Sequence, residues 1–133
     1  KLLNEARKSY SSYAEFHYRY GLYLQEKAEY DDATAAFIMS TKAERDDENE
    51  YQLNALYQIG RTSVFSKKNI DDGIKAFDKY IEIANGRVSP NIIEWAHFRL
   101  AQLFKLSNNP QEMLKRLQII SDSNDKEFKM FDM

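Results

Sequence analysis

A short segment of this chain recurs at a fixed spacing, and that spacing constrains the fold more than any other feature of the sequence. YDDATAAF, at positions 30–37, returns as IDDGIKAF, at positions 70–77. One further step of the same length leads to PQEMLKRL, at positions 110–117, which keeps an acidic residue before an apolar pair. Self-similarity at a period of roughly 20–50 residues is typical of stacked repeats. The sequence therefore predicts three copies of one structural unit.

Three stretches upstream of these segments follow the same period. FHYRYGLYL (16–24), ALYQIGRTSV (55–64) and AHFRLAQLF (96–104) each place an aromatic residue before a large apolar residue and a small one. The small residues are Gly21, Gly60 and Ala101, which follow one another at nearly equal intervals. Because the stretches agree independently on one period, the repeat is interpreted as a structural unit of about 40 residues.

Each unit is predicted to contain two helices, since its apolar residues recur at the helical spacings of three and four. In the first unit these residues are Phe16, Tyr20, Tyr23 and Leu24, followed by Ala33, Ala36, Phe37 and Ser40. The predicted helices cover about 13–28, 31–46, 50–67, 71–85, 90–106 and 110–121. Positions 1–9 are interpreted as the end of a helix from an earlier repeat, which indicates a fragment of a longer protein.

Several residues are predicted to mark helix ends. Pro90 and Pro110 fit the start of a helix, where the missing N–H costs little, and Gly86 fits a C-terminal stop. Two acidic pairs lie where second helices begin, and they are expected to cap free N–H groups and to complement the helix dipole. These pairs are Asp31-Asp32 and Asp71-Asp72.

Together these features predict an all-α fold, namely an α-solenoid of three antiparallel helix hairpins with a partial N-terminal helix. The units are expected at about 13–48, 49–88 and 89–122 of a single domain spanning 1–133. The content of 4 Gly and 2 Pro supports helices, because an all-β domain of this size would need more turn residues.

At the repeated positions the sequence resembles tetratricopeptide repeats. The apolar–small pairs of that motif are Tyr20-Gly21, Ile59-Gly60 and Leu100-Ala101, and the second-helix pairs are Ala33 with Phe37, Gly73 with Phe77, and Met113 with Leu117. The resemblance covers about 13–121 and implies a right-handed superhelix with a concave inner surface. Three features depart from the motif: a period of about 40 instead of about 34, Met113 in a small-residue slot, and the missing Pro at most repeat ends.

The resemblance also implies which residues line the concave groove. Equivalent first-helix positions hold one aromatic row, and the positions one turn further on hold a second row. The predicted groove residues are Tyr18, Tyr57 and Phe98, then Leu22, Arg61 and Gln102, with Trp95, Gln25 and Lys105 extending the strip. Tyr, Trp and Arg are the residue types that anchor interfaces. The alternative interpretation is that the aromatic row packs between adjacent repeats.

The sequence argues against several kinds of chemistry. With no Cys, thiolate catalysis and Cys-based zinc sites are excluded. His17 and His97 lie two repeat lengths apart at the same repeat position, which favours packing over metal binding. The acidic run at 44–50 lacks the glycine of a calcium loop. No nucleophile elbow or phosphate loop is found, so we expect no enzyme activity, no cofactor and no metal.

Charge and hydropathy argue against several classes of binding partner. A net charge of -2 with short basic pairs argues against nucleic acid, and the apolar stretches are too short to span a membrane. Some tetratricopeptide domains bind the C-terminal carboxylate of chaperones with a Lys and an Asn in the first repeat. Tyr18 and Leu22 occupy those positions here, so such a carboxylate clamp is not expected. The absence of Cys is compatible with both the cytoplasm and the periplasm, so the sequence leaves localisation unassigned.

Three functions remain compatible with these features. The leading hypothesis is a scaffold that binds a protein or peptide in the groove. The second is an assembly subunit that self-associates through repeat ends, where Leu114, Leu117 and Ile120 are expected to be partly uncovered. The third is a peptide-sensing regulator, because the segment 14–33 loosely resembles tetratricopeptide units of bacterial signal-peptide receptors.

Overall fold

The computed structural model describes residues 13–43 and 50–122. Within these ranges the chain forms six α-helices and no β-strand, which confirms the all-α prediction. The helices are α1 (Tyr13–Glu26), α2 (Tyr30–Thr41), α3 (Tyr51–Ser66), α4 (Ile70–Ala84), α5 (Pro90–Leu106) and α6 (Pro110–Ser121). The predicted helix limits lie within a few positions of these bounds, except that α2 ends at Thr41 and was predicted to extend to about 46. The helix predicted at 1–9 and most of the acidic run at 44–50 lie outside the described residues.

The helices associate in sequence order. Each helix packs against the next one along the chain, and among the described residues the backbone of α3 also lies close to that of α1 and of α5. The three pairs α1–α2, α3–α4 and α5–α6 correspond to the three predicted units. Among the described residues, no close backbone approach joins the first pair to the third. Stability therefore rests on contacts between neighbouring helices, as in a chain of repeats.

Short connections join the helices of each pair, at 27–29, 67–69 and 107–109. Each connection contains a non-glycine residue in the left-handed region, such as Ala28 at φ 62° and Asn108 at φ 61°. In the first pair the Glu29 N–H donates to the Leu24 carbonyl at 2.9 Å, and in the third pair the Asn109 N–H donates to the Phe104 carbonyl at 2.8 Å. This bond is typical of a Schellman-type helix end.

In each of the first two pairs a phenyl ring fills the interface between the two helices, which we call the seam of the pair. A methyl group added at Gly21 would lie 2.6 Å from Phe37 Cε1, and one added at Gly60 would lie 2.7 Å from Phe77 Cγ. Both phenylalanines are fully buried. Gly21 and Gly60 therefore occupy matching surroundings, in which glycine allows the ring to approach the backbone closely.

Two clusters of buried side chains form the core, and each one extends across a boundary between pairs. The first cluster joins Phe37 of α2 to Ala55 and Ile59 of α3. The second joins Phe77 of α4 to Leu100 of α5. Each pair thus buries its apolar surface partly against the next pair, at a gain of roughly 25 cal/mol per Å² of apolar area.

The predicted helix caps are partly wrong. The residues before α2 and α4 are Glu29 and Asn69, and neither side chain caps its helix. The acidic pairs 31–32 and 71–72 lie inside the first turns of α2 and α4, where they complement the helix dipole without capping it. Side-chain caps occur instead at Ser89, which accepts from the Asn91 N–H, and at Asn109, which accepts from the Glu112 N–H, both at 3.3 Å. Ser89 and Asn109 directly precede Pro90 and Pro110. Their side-chain oxygens accept from free N–H groups of the first turn, and the prolines have no N–H that would need an acceptor.

The two prolines and Gly86 are placed as predicted. Pro90 and Pro110 are the first residues of α5 and α6. Gly86 follows the end of α4 with φ +84°, a left-handed conformation that glycine adopts without strain.

Candidate functional site

Three of the predicted groove residues meet at one cavity, which we call the tyrosine pocket. Tyr18 of α1 and Tyr57 and Arg61 of α3 line it, together with Tyr80 of α4 and Ile92 and Arg99 of α5. The amides of Asn54 and Gln58 complete the lining, and the cavity volume is about 280 Å³. The pocket therefore draws residues from all three helix pairs, with α3 as its central element.

The tyrosines of this pocket both pack and line the cavity. The Tyr57 ring stands edge-on to Phe77 and to Tyr80, with centroid distances of 5.2 and 5.1 Å. The Tyr18 ring lies 5.9 Å from the Phe37 ring. Each tyrosine thus continues the seam of its pair onto the surface. The two interpretations of the aromatic row, groove lining and packing, are compatible for these two residues.

The charge of the pocket comes from its arginines. Burial raises the pKa of Tyr18, although a hydrogen bond with Gln58 acts in the opposite direction. Burial also raises the pKa of Tyr80. These phenols therefore stay neutral at physiological pH, whereas Arg61 and Arg99 carry positive charge, and no carboxylate of the described residues lines the cavity. The pocket presents hydroxyl, amide and guanidinium donors beside aromatic rings.

Three of the four predicted groove residues on α5 line a different cavity, which we call the terminal groove. Phe98, Gln102 and Lys105 line it together with Ala101 of α5. Val64 and Lys67 contribute from the end of α3, Leu106 from the end of α5, and Met113 and Leu117 from α6. The volume is about 680 Å³. The single groove inferred from the sequence is thus divided into two cavities of different chemistry.

Three predicted groove residues line neither of these two cavities. Leu22 packs against the first core cluster. The Gln25 side chain donates to Gln58 Oε1 and Thr62 Oγ1, both at 3.0 Å, and so links α1 to α3. Trp95 is only 1% exposed, which places its ring in the core and not on an accessible surface.

Sequence reasoning did not identify the other lining residues of the tyrosine pocket. A signal existed for Asn54 and Gln58, which lie one turn apart on the face of α3 that carries Tyr57 and Arg61. Tyr80 occupies the slot that Ser40 fills one period earlier, and such a change in size would have been visible in the repeat alignment. Arg99 and Ile92 gave no sequence signal, because only the packing of α5 against α3 brings them to the cavity.

The histidines lie in packing environments. The His17 ring stands edge-on to Tyr13 and Phe16, at centroid distances of 4.4 and 5.0 Å. His97 is buried, with Nδ1 3.4 Å from Arg116 Nη1. Burial and the Arg116 charge lower the pKa of His97, partly opposed by Asp78. Within 13–43 and 50–122, no group of three or more His, Asp or Glu side chains is placed to hold a metal ion.

Two further properties concern the chain as a whole and its described helices. No helix in the described part of the chain is long and apolar enough to cross a membrane. Comparison with protein-family models, with curated proteins and with solved structures gives no match to this chain.

Proposed function

We propose that this protein is a binding scaffold of the α-solenoid type, in which three tetratricopeptide-like hairpins hold a segment of a protein partner on the face formed by α1, α3 and α5. The observation that carries the proposal is the tyrosine pocket, which assembles residues of all three pairs around α3. The mutual contacts of α1 with α3 and of α3 with α5 support a common inner face. A single helix pair offers no such face, so binding depends on stacking.

The chemistry of the pocket favours a peptide ligand. Tyrosine and arginine provide large contact areas with polar ends, and both are enriched among residues that dominate binding energy. The Asn54 and Gln58 amides and the arginine side chains can donate to the carbonyl groups of an extended segment. This role requires no reaction at the site and no cofactor.

Selection from a displayed random peptide library tests this proposal. Peptides enriched on the wild-type protein should bind an Arg61→Glu variant at least about tenfold more weakly, because a pocket anchor is lost and its charge reversed. Lys75→Glu is the charge-matched control, since Lys75 is exposed on α4 and lines none of the cavities described above. A Tyr18→Phe variant keeps the ring and removes only the hydroxyl, so it should retain the fold and weaken binding less.

Fluorescence anisotropy with the selected peptides measures the affinities, and thermal unfolding confirms that each variant is folded. Failure to enrich any peptide, or equal affinity for the Arg61→Glu and Lys75→Glu variants, would contradict the proposed site.

Self-association is the second candidate function, because α6, which the structure describes along its whole length, has no buried residue. It exposes Leu114 by 61% and Ile119 by 45%, whereas Ile120 is partly covered. Apolar side chains on a terminal helix favour contact with another molecule. Sedimentation velocity over a range of concentrations distinguishes this function, because it requires mass to rise with concentration. The peptide-sensing role stays a prediction.

A further inference from the structure

The terminal groove has the size and surface of a docking site. Its volume of about 680 Å³ falls within the roughly 300–1,000 Å³ of typical binding clefts. Most of its lining is apolar, from Val64 of α3 to Met113 and Leu117 of α6. Leu106 and Leu117 are 44% and 37% exposed, so apolar surface reaches the rim. Covering such a groove with a partner removes apolar surface from water, which favours binding.

The charge at the rim has one sign. Lys67 and Lys105 are exposed, and no Asp or Glu occurs among the lining residues that the structure describes. Lys67 caps the end of α3 and Lys105 lies in the last turn of α5. Each helix end carries only about half a negative charge, so a net positive charge remains at both positions. The protein as a whole has a net charge of -2, which makes this local cationic rim distinctive.

The groove offers few hydrogen-bond partners apart from the two lysines. The neutral polar side chain in its lining is Gln102. An extended peptide would leave its backbone N–H and C=O groups against apolar side chains, and unpaired buried groups are costly. A helix satisfies its own backbone and can place leucine-like side chains at i, i+3, i+4 and i+7 on the groove.

We propose that the terminal groove binds an acidic amphipathic helix of a partner protein, whose apolar side chains pack against Phe98, Met113 and Leu117 and whose carboxylates pair with Lys67 and Lys105. Charge complementarity at the rim specifies the occupant, and the apolar floor provides the contact area. The proposal uses different residues from the tyrosine pocket. Either site can therefore fail in an experiment without the other.

A designed peptide pair provides the probe. One peptide is an acetylated, amidated helix with leucines at i, i+3, i+4 and i+7 and glutamates on both flanks, and the other replaces every glutamate by lysine. Anisotropy with labelled peptides on the intact chain should show binding of the glutamate peptide, at least about tenfold tighter than the lysine peptide. The affinity for the glutamate peptide should fall as salt is raised.

Matched variants test each part of the groove. The double substitution Lys67→Glu and Lys105→Glu should reverse the peptide preference, because it converts two attractions into two repulsions. Leu117→Ala should weaken binding of the glutamate peptide several-fold, whereas Leu114→Ala on the same helix should not, since Leu114 is more exposed and lies outside the groove lining. Arg61→Glu in the tyrosine pocket should leave this binding unchanged.

Several outcomes would overturn the proposal. They include equal affinity for the two peptides, equal effects of Leu114→Ala and Leu117→Ala, and no binding of the glutamate peptide at millimolar concentration. Dimerisation that Leu117→Ala abolishes would assign the groove to a second copy of the chain. Binding of the glutamate peptide only to a chain truncated after Asp122 would assign it to the segment 123–133.

Discussion

The second and third helix pairs use the same positions in opposite ways. In the second pair Phe77 is fully buried and lies over Gly60. In the third pair the equivalent residues are Leu117, 37% exposed, and Ala101, and both line the terminal groove. A seam that a phenyl ring closes in one pair is open in the other. The comparison shows that a repeat can lose a packing residue and keep its helices.

Polar contacts supplement apolar packing in the third pair, where the phenyl ring is missing. Arg116 of α6 pairs with Asp78 of α4 at 3.1 Å and approaches His97 of α5, with its guanidinium 5.7 Å from the centre of the Phe104 ring. Arg116 therefore joins three helices from a partly buried position. In the third pair these contacts of Arg116 add to the packing of Met113 against the second core cluster, whereas a phenyl ring fills the interface in each of the first two pairs.

Truncating the two equivalent residues should produce the largest contrast. Phe77→Ala should lower the free energy of unfolding by about 3–5 kcal/mol, because it leaves a cavity in the second core cluster. Leu117→Ala should lower it by less than about 1 kcal/mol, since the side chain is partly exposed and already borders a groove. Urea denaturation measures both values. Similar losses for the two variants would break the comparison.

Enlarging the small residue of each seam should give an intermediate contrast. Gly60→Ala should destabilise the fold by about 1–2 kcal/mol despite alanine's better helix propensity, because the new methyl group meets the Phe77 ring. Ala101 is 3% exposed but borders the terminal groove, so the flexible side chain of an Ala101→Met variant should extend into the groove and destabilise the fold less than Gly60→Ala does. Urea denaturation again provides the values. If Gly60→Ala stabilises the protein, the seam is looser than the structure indicates.

The smallest effect should come from pH and should be confined to the third pair. Burial and Arg116 lower the pKa of His97, whereas Asp78 raises it. Glu94 and His97 line one further cavity, which Ile119 of α6 also borders. Because the folded state favours the neutral ring, its contribution is complete above the unfolded pKa of about 6.5 and is lost as pH falls below it. Lowering the pH from about 8 to about 5 should therefore reduce the amide protection factors, which correct for the intrinsic pH dependence of exchange, more in α5 and α6 than in α1 and α2.

His97→Gln is the control for this effect, since glutamine keeps a polar side chain that does not titrate in this range. Between the two pH values, the protection factors of α5 and α6 should change less in the variant than in the wild type. Equal pH responses of the wild type and the variant would exclude His97 as the cause.

The helices were predictable because their periodicity is local. Apolar spacings of three and four and the prolines at 90 and 110 place the start of every described helix within a few positions. The caps were not predictable, because Asp31 and Asp71 have the residue type of a cap but lie inside the first turn of the helix. Cap position depends on where the backbone leaves the preceding turn, which residue type alone does not specify.

The candidate site was only partly predictable. Tyr18, Tyr57 and Arg61 follow from the repeat, since equivalent positions on first helices share one face. Arg99 and Trp95 did not follow, because the angle at which α5 packs on α3 decides which of its residues reach the cavity and which enter the core. The spacing of apolar residues within one helix does not reveal the angle at which that helix packs on another.

The connections within the pairs carry a consequence for how this architecture can change. The first and third connections share the same backbone hydrogen bond two repeat lengths apart, from Glu29 to Leu24 and from Asn109 to Phe104. The connection of the third pair thus has the same backbone bond as that of the first pair, although Leu117 leaves the third pair more open than Phe37 leaves the first. Substitutions at Met113 and Leu117 would therefore change the shape of the terminal groove while the connection at 107–109 keeps both helices in place.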